Sequence, residues 1–233
     1  MAKYVKPLSK PRKPADPAKP KSQSLPYRPL RFTPRTDGQR DAAAAFKDND
    51  VLFMVGPAGV GKSFVAMALA IGEILSGNKK RIILTRPIVE SGERLGFLPG
   101  TFDEKVAPYM SPLVDSITKL VGPTGSAQRE LVDKSIEVRP LAYMRGATFD
   151  DAVAILDEAQ NCTYGQLKLF LTRIGENCKL IIDGDPEQSD LGGEVAFDKM
   201  CDRLEDVHGV EVVEFGSDEI VRHPIISRIL NRI

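Results

Sequence analysis

Short apolar runs recur along the chain with room for a helix between them. Val51-Leu52-Phe53-Met54-Val55, Ile82-Ile83-Leu84, Ala152-Val153-Ala154-Ile155-Leu156 and Leu180-Ile181-Ile182 lack the alternation of a half-exposed strand and are rich in β-branched residues. They predict strands at 51–55, 81–85, 152–156 and 179–183, buried on both faces of a parallel sheet. Val210 to Phe215 alternates like a strand, and Ile136 to Val138 is a short candidate. Between the first two runs, Phe64 to Leu75 reads as an apolar helix closed by a Ser76-Gly77-Asn78 break. Strand, helix, strand in that order implies a right-handed crossover.

Upstream, Arg40 to Phe46 reads as a helix that starts at Thr36-Asp37-Gly38-Gln39. From Ile88 to Phe149 the rhythm breaks. Gly and Pro gather between Gly92 and Pro112, a helical stretch lies near Leu113 to Val121, and an insertion of this length is more often functional than filler. A short terminal helix is expected after His223-Pro224. The pattern as a whole predicts one α/β domain with a parallel central sheet flanked by helices.

Composition sharpens the division of the chain. At 233 residues, with 42% hydrophobic and 27% charged residues, a single core of ordinary size is expected. The net charge of zero conceals an asymmetry: residues 1–35 hold ten Lys or Arg against Asp16 alone, so that segment carries +9 and the remainder −9. The same segment holds eight of the seventeen prolines and cannot bury enough surface to fold by itself. We therefore expect a disordered basic Pro-rich arm over 1–33 and a folded domain over 34–233. The arm suits either contact with nucleic-acid phosphates or a solvated spacer.

Cys162, Cys178 and Cys201 form no CxxC pair and are odd in number, which argues against a disulfide framework or a zinc site. No apolar run reaches transmembrane length and the N-terminus lacks a signal-peptide core, so a cytoplasmic protein with no membrane partner is expected.

The chemistry concentrates at the strand ends. Gly56-Pro57-Ala58-Gly59-Val60-Gly61-Lys62-Ser63, followed by Phe64, matches the P-loop spacing between a strand and a helix. There successive N–H groups and the positive helix end converge on a polyphosphate, Lys62 reaches the β- and γ-phosphates, and Ser63 ligates Mg²⁺. Asp157-Glu158 closes the 152–156 strand as a paired-acid site: Asp157 holds Mg²⁺ through its water shell and Glu158 polarises the attacking water. Gln188, beyond the Gly184-Asp185-Pro186 turn, is placed to sense the γ-phosphate or position that water.

Four further residues stay open. Arg86, at a strand end, suits phosphate of nucleotide or nucleic acid, or is only a surface charge. Tyr143 beside Arg145 suits stacking on a nucleic-acid base, or is a packed ring beside a solvated charge. Gln39 has capping-box spacing from Thr36, and its amide also matches the adenine edge.

Taken in order, Gly-x4-Gly-Lys-Ser, Asp157-Glu158-Ala159-Gln160 and Gly184-Asp185-Pro186-Glu187-Gln188 resemble motifs I, II and III of superfamily 1 helicases. The wording around them resembles the PhoH family more closely: Thr85-Arg86-Pro87, the 92–100 block, Pro140 to Gly146, Ile155 to Asn161, Leu171 to Gly175 and Val221-Arg222-His223-Pro224. The resemblance spans roughly residues 34–230. It implies a single RecA-like P-loop NTPase domain, equivalent to the first motor domain of those helicases, that hydrolyses ATP with Mg²⁺. It strengthens Gln39 as an adenine reader and implies links to phosphate starvation and RNA processing.

It also implies a homo-oligomeric hexameric ring with RNA or single-stranded DNA as partner, and helicase-like remodelling as one outcome. The other is a nucleotide-gated switch that hydrolyses slowly without unwinding. In a ring, a neighbour's arginine completes the site, with Arg222 the first candidate and Arg173 the second. The sequence carries no second RecA-like domain and no PIN nuclease, so oligomerisation is expected to supply the missing wall of the ATP cleft.

Overall fold

The computed structural model describes residues 30, 32–87, 115–122, 126–190 and 196–221. Residues 1–29 of the basic arm, the Gly- and Pro-rich 92–112 stretch, the expected terminal helix and Arg222 lie outside the described residues. All six expected strands form: β1 (Val51–Val55), β2 (Arg81–Thr85), β3 (Ile136–Val138), β4 (Ala152–Leu156), β5 (Lys179–Gly184) and β6 (Val210–Glu214). They make one sheet ordered β3-β2-β4-β5-β1-β6, with every neighbouring pair parallel.

The helices are α1 (Asp37–Asp48), α2 (Lys62–Leu75), α3 (Ala127–Ser135), α4 (Tyr164–Leu171) and α5 (Ala196–Leu204), and residues 115–121 are also helical. Helix α2 starts two residues before the expected Phe64. Gly61, at φ 93°, provides the left-handed cap that lets Lys62 enter the first turn. Helices α3, α4 and α5 were not anticipated. Two of them carry readable caps: the Ser126 side chain accepts from Arg129 N–H, and Thr163 with Gln166 forms a full capping box.

The missing alternation in the strands now has its cause, since each face of the sheet packs a separate core. Ile82, Leu84, Ile155 and Ile181 meet Val65, Ala66 and Ile71 of α2 on one side. On the other, Phe53, Ile83, Ala154, Leu156 and Ile182 meet Phe149, Phe170 and Phe197. Burial of each large side chain contributes about 1.5–3 kcal/mol. Strand β6 lies at the sheet edge and is only partly covered, with Glu211 and Glu214 exposed, Val210 and Val212 half-buried and Val213 buried, so its burial does not follow the expected alternation.

Helix α1 is fastened at both ends. At its C-terminus, Lys179 Nζ donates to Phe46 O at 2.7 Å and Asn49 O at 2.6 Å and lies 5.1 Å from the Phe46 ring. Leu30 and Phe32, from the last residues assigned to the arm, pack on the first core, with the Phe32 and Phe64 rings 6.2 Å apart.

Topology decides where chemistry can occur. From β1 the chain crosses through α2 to β2, and β4 and β5 later fill the gap between them. Strand β5 therefore ends between the P-loop strand and the acid-bearing strand, at the open crevice where the order reverses.

Candidate functional site

Backbone geometry at 56–63 depends on three glycines with positive φ, Gly56, Gly59 and Gly61. Gly56 has φ 152°, and a Cβ there would lie 2.7 Å from Phe215 O. Gly61 takes the left-handed turn that begins α2. The loop is also held from outside: Ala58 N donates to Asp185 Oδ2 at 2.8 Å, Gln39 Nε2 to Val60 O at 2.9 Å, and Val221 N to Gly59 O at 3.0 Å. Lys62 lies back over the loop, with Nζ donating to Gly56 O at 2.6 Å and Pro57 O at 3.1 Å.

Facing the loop are the acids. Ser63 Oγ donates to Asp157 Oδ1 at 2.8 Å, which joins the P-loop to β4. Glu158 is a non-glycine residue at φ 58°, ψ 42°. Such left-handed strain persists only where surroundings over-determine it, and it clusters at functional sites. Its carboxylate is gripped on both oxygens, Oε1 by Arg86 Nη2 at 2.5 Å and Oε2 by Gln160 Nε2 at 2.6 Å. Arg86 Nε also lies 3.7 Å from Asp157 Oδ2. Gln160 continues the chain of contacts, its Oε1 accepting from Asp185 N at 3.0 Å.

Asp183, at the end of β5, is 2% exposed, and its Oδ2 has no hydrogen-bond partner. Burial, and then the Asp157 carboxylate beside it, hold its carboxyl well above the ordinary aspartate range. Ser63, Asp157 and Asp183 thus offer hard oxygens, one of them an orphan, as Mg²⁺ requires when it keeps several waters and takes one or two carboxylates. Among the described residues no group of three or more His, Cys, Asp or Glu side chains forms an all-protein metal cage. These residues fit a cation completed by phosphate and water.

Together these groups line a cavity of about 750 Å³ that includes Gln39, Lys62, Ser63, Arg86, Asp157, Glu158, Asp183 and Gln188. Ser116 and Lys119 of the 115–121 helix close one wall. Gln39 is 5% exposed. Its own N–H caps to Thr36 Oγ1 at 3.3 Å, but its side-chain oxygen accepts from Arg35 N at 2.9 Å instead of completing the box with Thr36. Both ends of the amide thus meet main chain in this arrangement.

Gln188 sits exposed in the cavity wall on the 3-10 turn Pro186–Gln188. Arg86 is an inward residue of the acid pair rather than an outward-facing surface charge.

Two expected residues fall elsewhere. Tyr143, 72% exposed, lies on the 3-10 turn Leu141–Met144, and Arg145 lines a separate groove of about 720 Å³ with Lys168 of α4. Arg173 is committed to its own chain, with Nε donating to Leu169 O at 3.2 Å and Nη1 to Ala147 O at 3.1 Å.

Four residues escaped the sequence reading: Gln160, Asp183, Asp185 and Glu219. For Asp183 the signal was present, an acid ending a buried strand as Asp157 does. Glu219 had none for its contact with α1, since Gly38 lies 181 positions away. It accepts from Gly38 N at 2.7 Å and Gly216 N at 3.0 Å and fastens the start of α1 to the segment leaving β6.

Fold and site together define a RecA-like α/β domain with a P-loop facing an acid-bearing strand, and comparison with known proteins agrees. Residues 31–233 match the family described as PhoH-like protein, and the chain belongs to that family. A PhoH-like protein of Bacillus subtilis (strain 168) is 46% identical over 198 residues, covering 84% of this chain and 62% of the relative. Protein PhoH of Escherichia coli (strain K12) is 39% identical over 201 residues, covering 84% of this chain and 56% of that protein. The chain thus spans about three fifths of the length of these relatives. Among solved structures, the large terminase of a thermophilic bacteriophage shares the fold at TM-score 0.55 and 13% identity, covering 86% of this chain and 50% of that one. Among the described residues no helix is long and apolar enough to cross a membrane.

Proposed function

We propose that the chain binds ATP with Mg²⁺ in the 750 Å³ cavity and hydrolyses it, coupled to single-stranded RNA or DNA within an oligomeric, hexameric ring. The observation that carries this reading is the convergence of Lys62, Ser63, Asp157 and Glu158 on one cavity at the carboxyl ends of β1 and β4. Lys62 would leave its carbonyl contacts for the phosphates. Ser63 and Asp157 would hold Mg²⁺, which shields phosphate charge as the terminal P–O bond breaks. Glu158 would polarise the attacking water, and Gln188, which lines the same cavity, would orient it. Gln39, beside Val60, would read adenine once its main-chain contacts give way.

We take 34–233 as the ATPase domain and 1–33 as the nucleic-acid arm, seated on the core by Leu30 and Phe32. The arm's charge and the Tyr143–Arg145 turn support a nucleic-acid partner, and the reduced thiols suit the cytoplasm. A trans arginine, Arg222 or Arg173, would complete the site in the ring. For Arg173 this requires release of its two carbonyl contacts.

A second reading, a nucleotide-gated binding switch that hydrolyses slowly without unwinding, is favoured by one observation. Arg86 occupies the carboxylate that must meet water.

ATP hydrolysis by the full chain and by a form lacking residues 1–29, with and without single-stranded RNA or DNA at two salt concentrations, tests the proposal. That deletion leaves Leu30 and Phe32 on the core. Salt-sensitive stimulation that requires the arm supports the coupled motor. Turnover indifferent to nucleic acid rejects the coupling and favours the switch.

A further inference from the structure

We propose that Asp183 belongs to the Mg²⁺ site by accepting a hydrogen bond from one of the metal's waters, beside Ser63 and Asp157. This rests on the reading of the cavity as an Mg–ATP site.

The sheet itself sets the geometry. Strand β5 is inserted between β1 and β4, and Leu156 on β4 pairs with Ile182 on β5. One residue further along each strand stand Asp157 and Asp183, which share the face of Ile155 and Ile181 because side chains alternate along a strand. That face packs against α2, whose first turn carries Ser63. Three oxygen-bearing side chains thereby converge: Asp183 from within β5, Ser63 from the first turn of α2, and Asp157 from the residue that directly follows β4.

Satisfaction of polar groups points the same way. Asp157 has Ser63 Oγ at 2.8 Å and Arg86 Nε at 3.7 Å. Asp183 is just as buried, lines the cavity, and leaves Oδ2 without a donor. A buried carboxylate oxygen with no partner costs several kcal/mol, so such groups are almost always paired. The nearby cations are engaged elsewhere: Lys62 Nζ with Gly56 O and Pro57 O, and Arg86 with Glu158.

A metal-bound water is a donor of the right charge and reach. Mg²⁺ keeps several waters and binds few carboxylates directly when phosphates also ligate it, which assigns Asp183 to the water shell.

The test is Mg²⁺ titrated into the full-length protein at fixed N-methylanthraniloyl-ADP, read by fluorescence, with nucleotide affinity in EDTA measured alongside. Asp183→Asn keeps shape and removes charge. Asp183→Thr is the second variant, with circular dichroism as the folding check on both. The expected result is a half-saturating Mg²⁺ concentration raised about tenfold, the scale of an outer-shell partner. Affinity without metal should be equal or tighter, because the substitution removes a partner of the metal and no donor to the phosphates. An unchanged Mg²⁺ requirement in either folded variant overturns the assignment while leaving the nucleotide site intact. Wild-type protein that binds nucleotide without regard to Mg²⁺ overturns the reading of the cavity and this assignment with it.

Discussion

Arg86 and Glu158 form a 2.5 Å ion pair across the ends of β2 and β4, so the carboxylate assigned to polarise water is already held by a cation. Gln160 takes its other oxygen at 2.6 Å. A phosphate arriving at the end of β2 would compete for the guanidinium, since Arg binds phosphate and carboxylate with the same fork. Release of Glu158 would follow.

Arg86→Gln is therefore expected to raise ATP turnover in the absence of nucleic acid about threefold, or roughly 0.7 kcal/mol in barrier. Stimulation by single-stranded RNA or DNA should shrink at the same time. Steady-state hydrolysis with and without oligonucleotide measures both. Lower turnover in the folded variant would mean that Arg86 assists the reaction instead of restraining Glu158.

Gln160 binds Glu158 on one side and the Asp185 N–H on the other, and Asp185 in turn holds Ala58 of the P-loop. Such a chain sets the distance between acid and loop. Gln160→Ala should lower kcat about tenfold and leave KM for ATP within about twofold, as loss of orientation does. A change confined to KM would place Gln160 in binding instead.

Glu219 gives a pH signature. Burial acts to raise its carboxyl, but the Gly38 and Gly216 N–H groups, with Thr36, outweigh burial and hold it below the ordinary glutamate value. A carboxyl lowered in the folded state adds stability above the unfolded value and loses it as pH falls through the folded one. Glu219→Gln should then cost about 1 kcal/mol at pH 7, or about 2–4 °C in Tm. The gap should close in acid, well below the ordinary value of about 4.3. Thermal unfolding at the two pH values measures it, and an equal gap at both would exclude the carboxylate as its source.

The thiols make a negative probe. Burial pushes Cys162 and Cys201 up to about 12 and Cys178 up to about 11, and only thiolate reacts readily. Folded protein at pH 8 should therefore resist alkylation by iodoacetamide, with all three thiols appearing on denaturation. Rapid labelling of native Cys162 would show that the core around it opens.

Why did the sheet read so plainly and the site only in part? The strands are buried on both faces, and their unbroken apolar runs carry that fact residue by residue, as at Ala152 to Leu156. The P-loop and Asp157-Glu158 are contiguous and follow such runs. Gln160, Asp185 and Glu219 act through partners 25 to 181 positions away, and no local spacing encodes those contacts. Gln39 shows the limit in miniature. Its spacing from Thr36 gave the cap, yet the bond to Val60 O depends on how α1 lies against the P-loop.

The most direct test of the central claim is ATP turnover by the folded Glu158→Gln protein, with fluorescent-nucleotide binding measured on the same sample. Nucleotide affinity is expected within about threefold of wild type and turnover lower by about 10²–10⁴, the usual contribution of a positioned base. Wild-type turnover by that variant would contradict the assignment of Glu158 and the hydrolytic site built around it.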